Sequence, residues 1–173
     1  MQWQQNACTT LRMTFKRQNS VSPGSPTHPL TPPSSSKTII GDGNCLFRSF
    51  AYIICGNQNS HMLVRTAICQ YMRTIGSFLL QLHIDSRYTT IEQYITQTRM
   101  NKSETWGTDI EIFTLAHLLD TPIMVYHHGL HYWNRYAPNA IDPTRTNDVT
   151  RTAVYINFRP NREHFDVVLE VAL

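Results

Sequence analysis

Residues 108–136, TDIEIFTLAHLLDTPIMVYHHGLHYWNRY, change hydrophobic period part-way along. Thr108, followed three residues later by Glu111, makes a capping-box pattern, in which each side chain satisfies a backbone N–H left open at a helix start. Ile112, Leu115, Ala116 and Leu119 then fall on one stripe, so a helix is expected. After Asp120 the pattern changes to strand-like runs, PIMVYH and LHYWNRY, and two more follow, AVYINF at 153–158 and HFDVVLEV at 164–171. Working upstream, CLFRSFAYIIC at 45–55 is apolar nearly all round apart from Arg48 and Ser49, as in a helix buried at the centre of a domain. Ser60 is placed to cap a further helix carrying Leu63, Val64, Ala67, Ile68, Tyr71 and Met72. Helices gathered in the first half and strands in the second predict an α+β fold, with a mostly antiparallel central sheet flanked by helices.

The bounds agree with one such unit. A chain of 173 residues, 41% hydrophobic and 16% charged, suffices for one core of ordinary size. A net charge of +3, with no basic run longer than Lys16-Arg17, argues against nucleic acid as a partner. No apolar stretch reaches the ~20 residues a membrane span needs, and MQWQQNACTTLRM lacks the basic-then-apolar layout of a signal peptide. A monomer in the cytoplasm or nucleocytoplasm, not secreted by that route, is the expectation. Cysteines stand at 8, 45, 55 and 69 without a Cys-x-x-Cys, which suits a reducing compartment. Cys55 and Cys69 lie among Ile53, Ile54, Ile68 and Met72, where an inert buried thiol belongs.

Composition changes near residue 37. SVSPGSPTHPLTPPSSSK, residues 20–37, holds five of the nine prolines with no hydrophobic period, and residues 1–36 are read as a disordered Pro/Ser-rich leader contributing no packed surface. Residues 37–173 form the expected catalytic domain.

Chemistry centres on GDGNCLFRSF, residues 41–50. Gly41 and Gly43 allow a tight turn with bare N–H groups, the material of an oxyanion hole, and Cys45 then opens a helix whose positive end favours thiolate, the attacking form. On this string alone, a nucleophile and a plain core cysteine fit equally well. A nucleophilic cysteine needs a base and the base an orienting group. Among eight histidines, His164 has a neighbour at the right spacing, since the strand period of two puts Asp166 beside it on one face. His127, His128 and His131 have no cysteine or carboxylate at a zinc-type spacing and read as strand and turn residues, so no metal is expected.

In that order, GDGNCLFRSF, TWGTDIEIFTLAHLLDTPIMVY and NREHFDVVLEV resemble the three blocks of the ovarian tumour (OTU) family of cysteine proteases, which remove ubiquitin; the resemblance covers roughly residues 37 to 173. It implies an OTU-like cysteine protease fold with Cys45 as nucleophile, His164 as general base and Asp166 orienting it. Asp42 matches the acid of the family's cysteine loop, supporting an oxyanion region that also includes Gly43 and Asn44. Trp106 matches a loop near the family's active centre and is either a substrate-binding residue or a core anchor. No cofactor is implied. The implied partner is ubiquitin or a polyubiquitin chain; a ubiquitin-like modifier, or a catalytically silent ubiquitin-binding module, are the alternatives. Residues 76–105 match no block.

Overall fold

The computed structural model describes residues 2–15, 31–82, 84–140 and 153–171.

The helix expected from the apolar run is α2, Cys45–Cys55, and it ends where sequence chemistry ends it: Gly56 takes the left-handed conformation (φ 74°) and returns its N–H to the Tyr52 carbonyl. The next helix, α3, spans His61–Thr74, but the Ser60 side chain makes no cap; a 3-10 turn precedes it, capped instead by Asn57 accepting from the Asn59 N–H. Two helices follow in the stretch without family blocks, α4 (Gly76–Leu82) and α5 (Ile91–Gln97), the latter capped by Thr90. The capping box forms as predicted at the start of α6, Asp109–Leu118: Glu111 Oε2 accepts from the Thr108 N–H at 2.6 Å while the Thr108 hydroxyl accepts from the helix backbone. Glu111 is fully buried, so its carboxyl is pushed up by burial, and the Tyr94 hydroxyl supplies a further hydrogen bond at 2.8 Å.

All four expected strands are present, as Ile123–His127, Tyr132–Tyr136, Val154–Arg159 and His164–Val171. A fifth strand, Pro33–Lys37, was read as leader. In chain order, with Pro33–Lys37 as β1 and the others as β2 to β5, the sheet runs β1-β5-β4-β2-β3. Three pairings are antiparallel and one, β2 with β4, is parallel, so the sheet is mixed though mostly antiparallel. The parallel pairing needs a long crossover, and β3 with the segment after it supplies one.

A first helix, α1 (Gln2–Thr10), corrects the reading of residues 1–36 as unpacked. Ala7, Cys8, Leu11 and Met13 are buried, Gln4 Nε2 donates to the Ile53 carbonyl at 2.9 Å, and Trp3 Nε1 donates to Thr121 Oγ1 at 2.8 Å. Proline and serine concentrate after residue 19, so the mean composition of the first 36 residues hid a short amphipathic segment. Burying side chains such as Leu11 and Met13 stabilises by about 1.5–3 kcal/mol each. Strand β1 was hidden for another reason: its five residues are PSSSK, and backbone pairing with β5, not apolar content, makes it a strand.

The core lies between α2 and the sheet, with Phe47, Phe50, Ile54, Ile156 and Val167 among its members. The Ser49 hydroxyl donates to the Phe165 carbonyl at 3.3 Å, which ties α2 to β5 beside His164. Cys8, Cys55 and Cys69 are buried packing residues, and burial pushes the thiols of Cys8 and Cys69 up to about 11.

Candidate active site

Cys45 is the first residue of α2 and lies almost fully below the surface. The loop before it is held from three sides. Asp42 accepts from Arg48 of the same helix, with Nη2 to Oδ2 at 2.6 Å and Nε to Oδ1 at 3.0 Å, and from the Asn44 N–H at 3.1 Å. The Arg48 guanidinium holds the Asp42 carboxyl well below the usual carboxylate range. Gly43 has φ 78°, and a Cβ there would stand 2.7 Å from the Glu104 carbonyl oxygen, so conformation and space both demand glycine.

Asn44 is buried, and it makes no N-cap because its side chain is used elsewhere. Its Oδ1 accepts from the Glu104 N–H and from Arg65 Nη2, each at 2.9 Å. Arg65, from α3, has 0% exposure; it also donates to the Thr105 and Met100 carbonyls at 2.7 and 2.9 Å and lies 3.8 Å above the Phe47 ring. Burial lowers its pKa to about 10, still charged at neutral pH. One guanidinium thereby ties the cysteine loop to the loop that carries Trp106.

His164 and Asp166 lie on one face of β5 as expected, with His164 Nε2 3.0 Å from Asp166 Oδ1. The ring packs over the cysteine loop: a methyl added to Gly41 would sit 3.5 Å from Nδ1. Nε2 is thus taken by the acid, and Nδ1 is turned to the loop that leads into Cys45. Asp166 is itself fixed, accepting the Ile39 N–H at 2.9 Å and lying 3.4 Å from Arg159 Nε. Sequence reasoning missed Arg65, Arg159 and the Ile39 amide. An arginine on the apolar stripe of α3 was a signal for the first, and the last is a backbone group that no residue type announces.

Two expectations change. The Asn44 N–H, expected as oxyanion support, is engaged by Asp42 Oδ1. The helix start was expected to favour thiolate, yet burial pushes the Cys45 thiol up, and backbone hydrogen bonds from Phe165, Leu46 and Cys45 itself offset this only in part.

Trp106 is 44% exposed and no core anchor. It lines a cavity of about 630 Å³ with Gly107, Ile110, Tyr132, Glu163 and Phe165, one residue to either side of His164. A second cavity, of about 510 Å³, is lined by Thr38, Ile39, Gly41, Arg159, Arg162, His164 and Asp166. His127 ends β2 and stacks on Tyr132, while His128 and His131 belong to the turn before β3.

A cysteine opening a central helix and a carboxylate-held histidine over its loop are the residue types that a cysteine hydrolase uses. Within that class the chain belongs to the OTU-like cysteine proteases, whose family model matches residues 40–165. It is 34% identical over 93 residues to a putative ubiquitin thioesterase, 232R, of Invertebrate iridescent virus 3, and 28% identical over 105 residues to human OTU domain-containing protein 5. The matches take in 48% and 61% of this chain but only 11% and 16% of those longer proteins. Among solved structures, the viral OTU domain protease from Dera Ghazi Khan virus superposes with a TM-score of 0.63 at 17% identity, covering 84% of this chain and 86% of that one. The Hazara virus OTU, solved bound to ubiquitin, gives 0.56 at 18% identity, covering 80% and 82%. At these identities the likeness to the solved structures is one of fold.

Proposed function

We propose that this chain is a deubiquitinase that hydrolyses the peptide or isopeptide bond after the C-terminal glycine of ubiquitin through a thioester on Cys45. The observation that carries the reading is His164, fixed by Asp166 and packed over the loop that ends in Cys45, within a family whose relatives include a putative ubiquitin thioesterase. His164 takes the thiol proton as Cys45 Sγ attacks the glycine carbonyl. Burial disfavours a standing thiolate, so the imidazole has to take this proton for attack to proceed. The N–H groups of Gly43 and Cys45 receive the oxyanion, and Asp42, clamped by Arg48, keeps the turn in place. His164 gives the proton to the leaving amine, and water, with His164 as base, then releases ubiquitin. Asp166 orients the imidazole throughout. Trp106, at the mouth of the larger cavity, contacts the extended tail of ubiquitin. No metal or organic cofactor takes part in these steps.

Ubiquitin and ubiquitin-like probes with a C-terminal electrophile test this. One adduct is expected, with ubiquitin, on Cys45, absent from Cys45→Ala. Labelling at Cys55 or Cys69, or none with any modifier, overturns the assignment; labelling only by a ubiquitin-like probe changes the substrate and keeps the chemistry.

A further inference from the structure

The turn from β4 into β5 sends neighbouring side chains to opposite sides of the site. Pro160–Arg162 form a 3-10 turn, Glu163 takes φ 48° with its N–H on the Pro160 carbonyl, and β5 begins at His164. Glu163 then lines the larger cavity, with Asp109, whereas Arg162 lines the smaller one, with Arg159 and His164. The two sides of the site therefore differ in charge: carboxylates on the side of Trp106, guanidiniums on the other.

The chemistry says which side receives which half of the substrate. As the C–N bond breaks, the leaving lysine Nζ must take its proton from His164, so the amine and the chain that carries it occupy a space that the imidazole faces. Of the two cavities, His164 lines only the smaller. The acid there, Asp166, is buried and spent on His164, the Ile39 N–H and Arg159. Arg162 is exposed, and among the described residues that line the cavity the uncompensated charge is positive.

We infer that this smaller cavity is a recognition site for the acceptor side of the scissile bond, and that Arg162 selects lysines flanked in their own chain by aspartate or glutamate. The inference rests on the deubiquitinase reading and adds a substrate preference to it. Attack and proton transfer are unchanged: Sγ–C forms, C–Nζ breaks, and the proton taken from the Cys45 thiol ends on Nζ. Arg162 touches only the residues beside the lysine. Exposed ion pairs are weak and screened by salt, so the preference is modest and falls as ionic strength rises.

Three substrates test it: ubiquitin with a C-terminal aminocoumarin, which has no acceptor chain, and ubiquitin joined through an isopeptide bond to a peptide lysine flanked either by two glutamates or by two lysines. Wild-type protein is expected to cleave the glutamate-flanked substrate with about three- to tenfold higher kcat/KM, a ratio that shrinks in 0.5 M salt. Arg162→Glu should erase or reverse the ratio while leaving aminocoumarin release unchanged. Equal rates on the two peptide substrates, or a ratio that survives in Arg162→Glu, overturn the inference while aminocoumarin release still supports the deubiquitinase reading. Failure to release aminocoumarin counts against that reading and removes the inference with it.

Discussion

At the scale of single residues, the two aspartates of the site do different work. Asp166 touches the imidazole, whereas Asp42 touches Arg48 and the Asn44 amide. Asp166→Asn keeps an oxygen for Nε2 but loses the charge that favours imidazolium, so kcat/KM should fall about ten- to a hundredfold, or roughly 1.4–2.7 kcal/mol. Asp42→Ala releases the turn that presents the oxyanion donors and takes the carboxylate from Arg48, which keeps only the Gln58 and Asn59 oxygens, and it should cost on the order of a hundred- to a thousandfold, the range typical of losing such a donor. Rates of both variants on one ubiquitin substrate, with circular dichroism as a folding check, decide between them. If Asp166→Asn matches Cys45→Ala while Asp42→Ala is near normal, the turn does not depend on the clamp. The Asp42 carboxyl titrates lower in the folded chain than its ordinary 3.8, so its stabilisation is present above about pH 4 and is lost as pH falls further. The melting-temperature gap between wild type and Asp42→Asn should accordingly be widest near neutrality and close in acid.

Among the elements, α3 acts on the site through Arg65. Arg65→Met keeps much of the stem and removes the guanidinium, leaving the Asn44, Met100 and Thr105 oxygens without that partner. A loss of about 1–3 kcal/mol of stability is expected, as for leaving buried neutral acceptors unpaired, with Arg65→Lys intermediate because an ammonium lacks the planar fork. Chemical denaturation measures both, and a fall under about 1 kcal/mol for Arg65→Met would show that the two loops hold without the bridge. Helix α1 makes a second case. Removing residues 1–15 uncovers α2 at Ile53 and Ile54 and should lower the melting temperature markedly; an unchanged melting curve would mean that α1 is dispensable cover.

The elements that were legible in the sequence were those with a strong period or a local rule: α2, the capping box of α6 and all four strands after residue 120. Those that were not are held by distant partners. β1 is polar and becomes a strand by pairing with β5, and Ser60 yields its capping role because the preceding turn is closed by Asn57. In the same way, His164 and Asp166 could be found from a two-residue spacing, whereas the amides and arginines that hold them come from other segments.

At the scale of the whole molecule, the bond from the Ile39 N–H to Asp166 joins groups 127 positions apart. Contacts so distant along the chain form late, because loop-closure entropy must be met before they contribute. During synthesis Cys45, the α2 helix and Arg65 emerge long before β5 exists to complete the sheet, so Arg65 can reach the Asn44 and Thr105 oxygens while the base is still missing. His164 and Asp166 arrive together, when β5 closes between β1 and β4. On the proposed reading, the base and its orienting acid therefore join the thiol in a single late step, because both sit on β5.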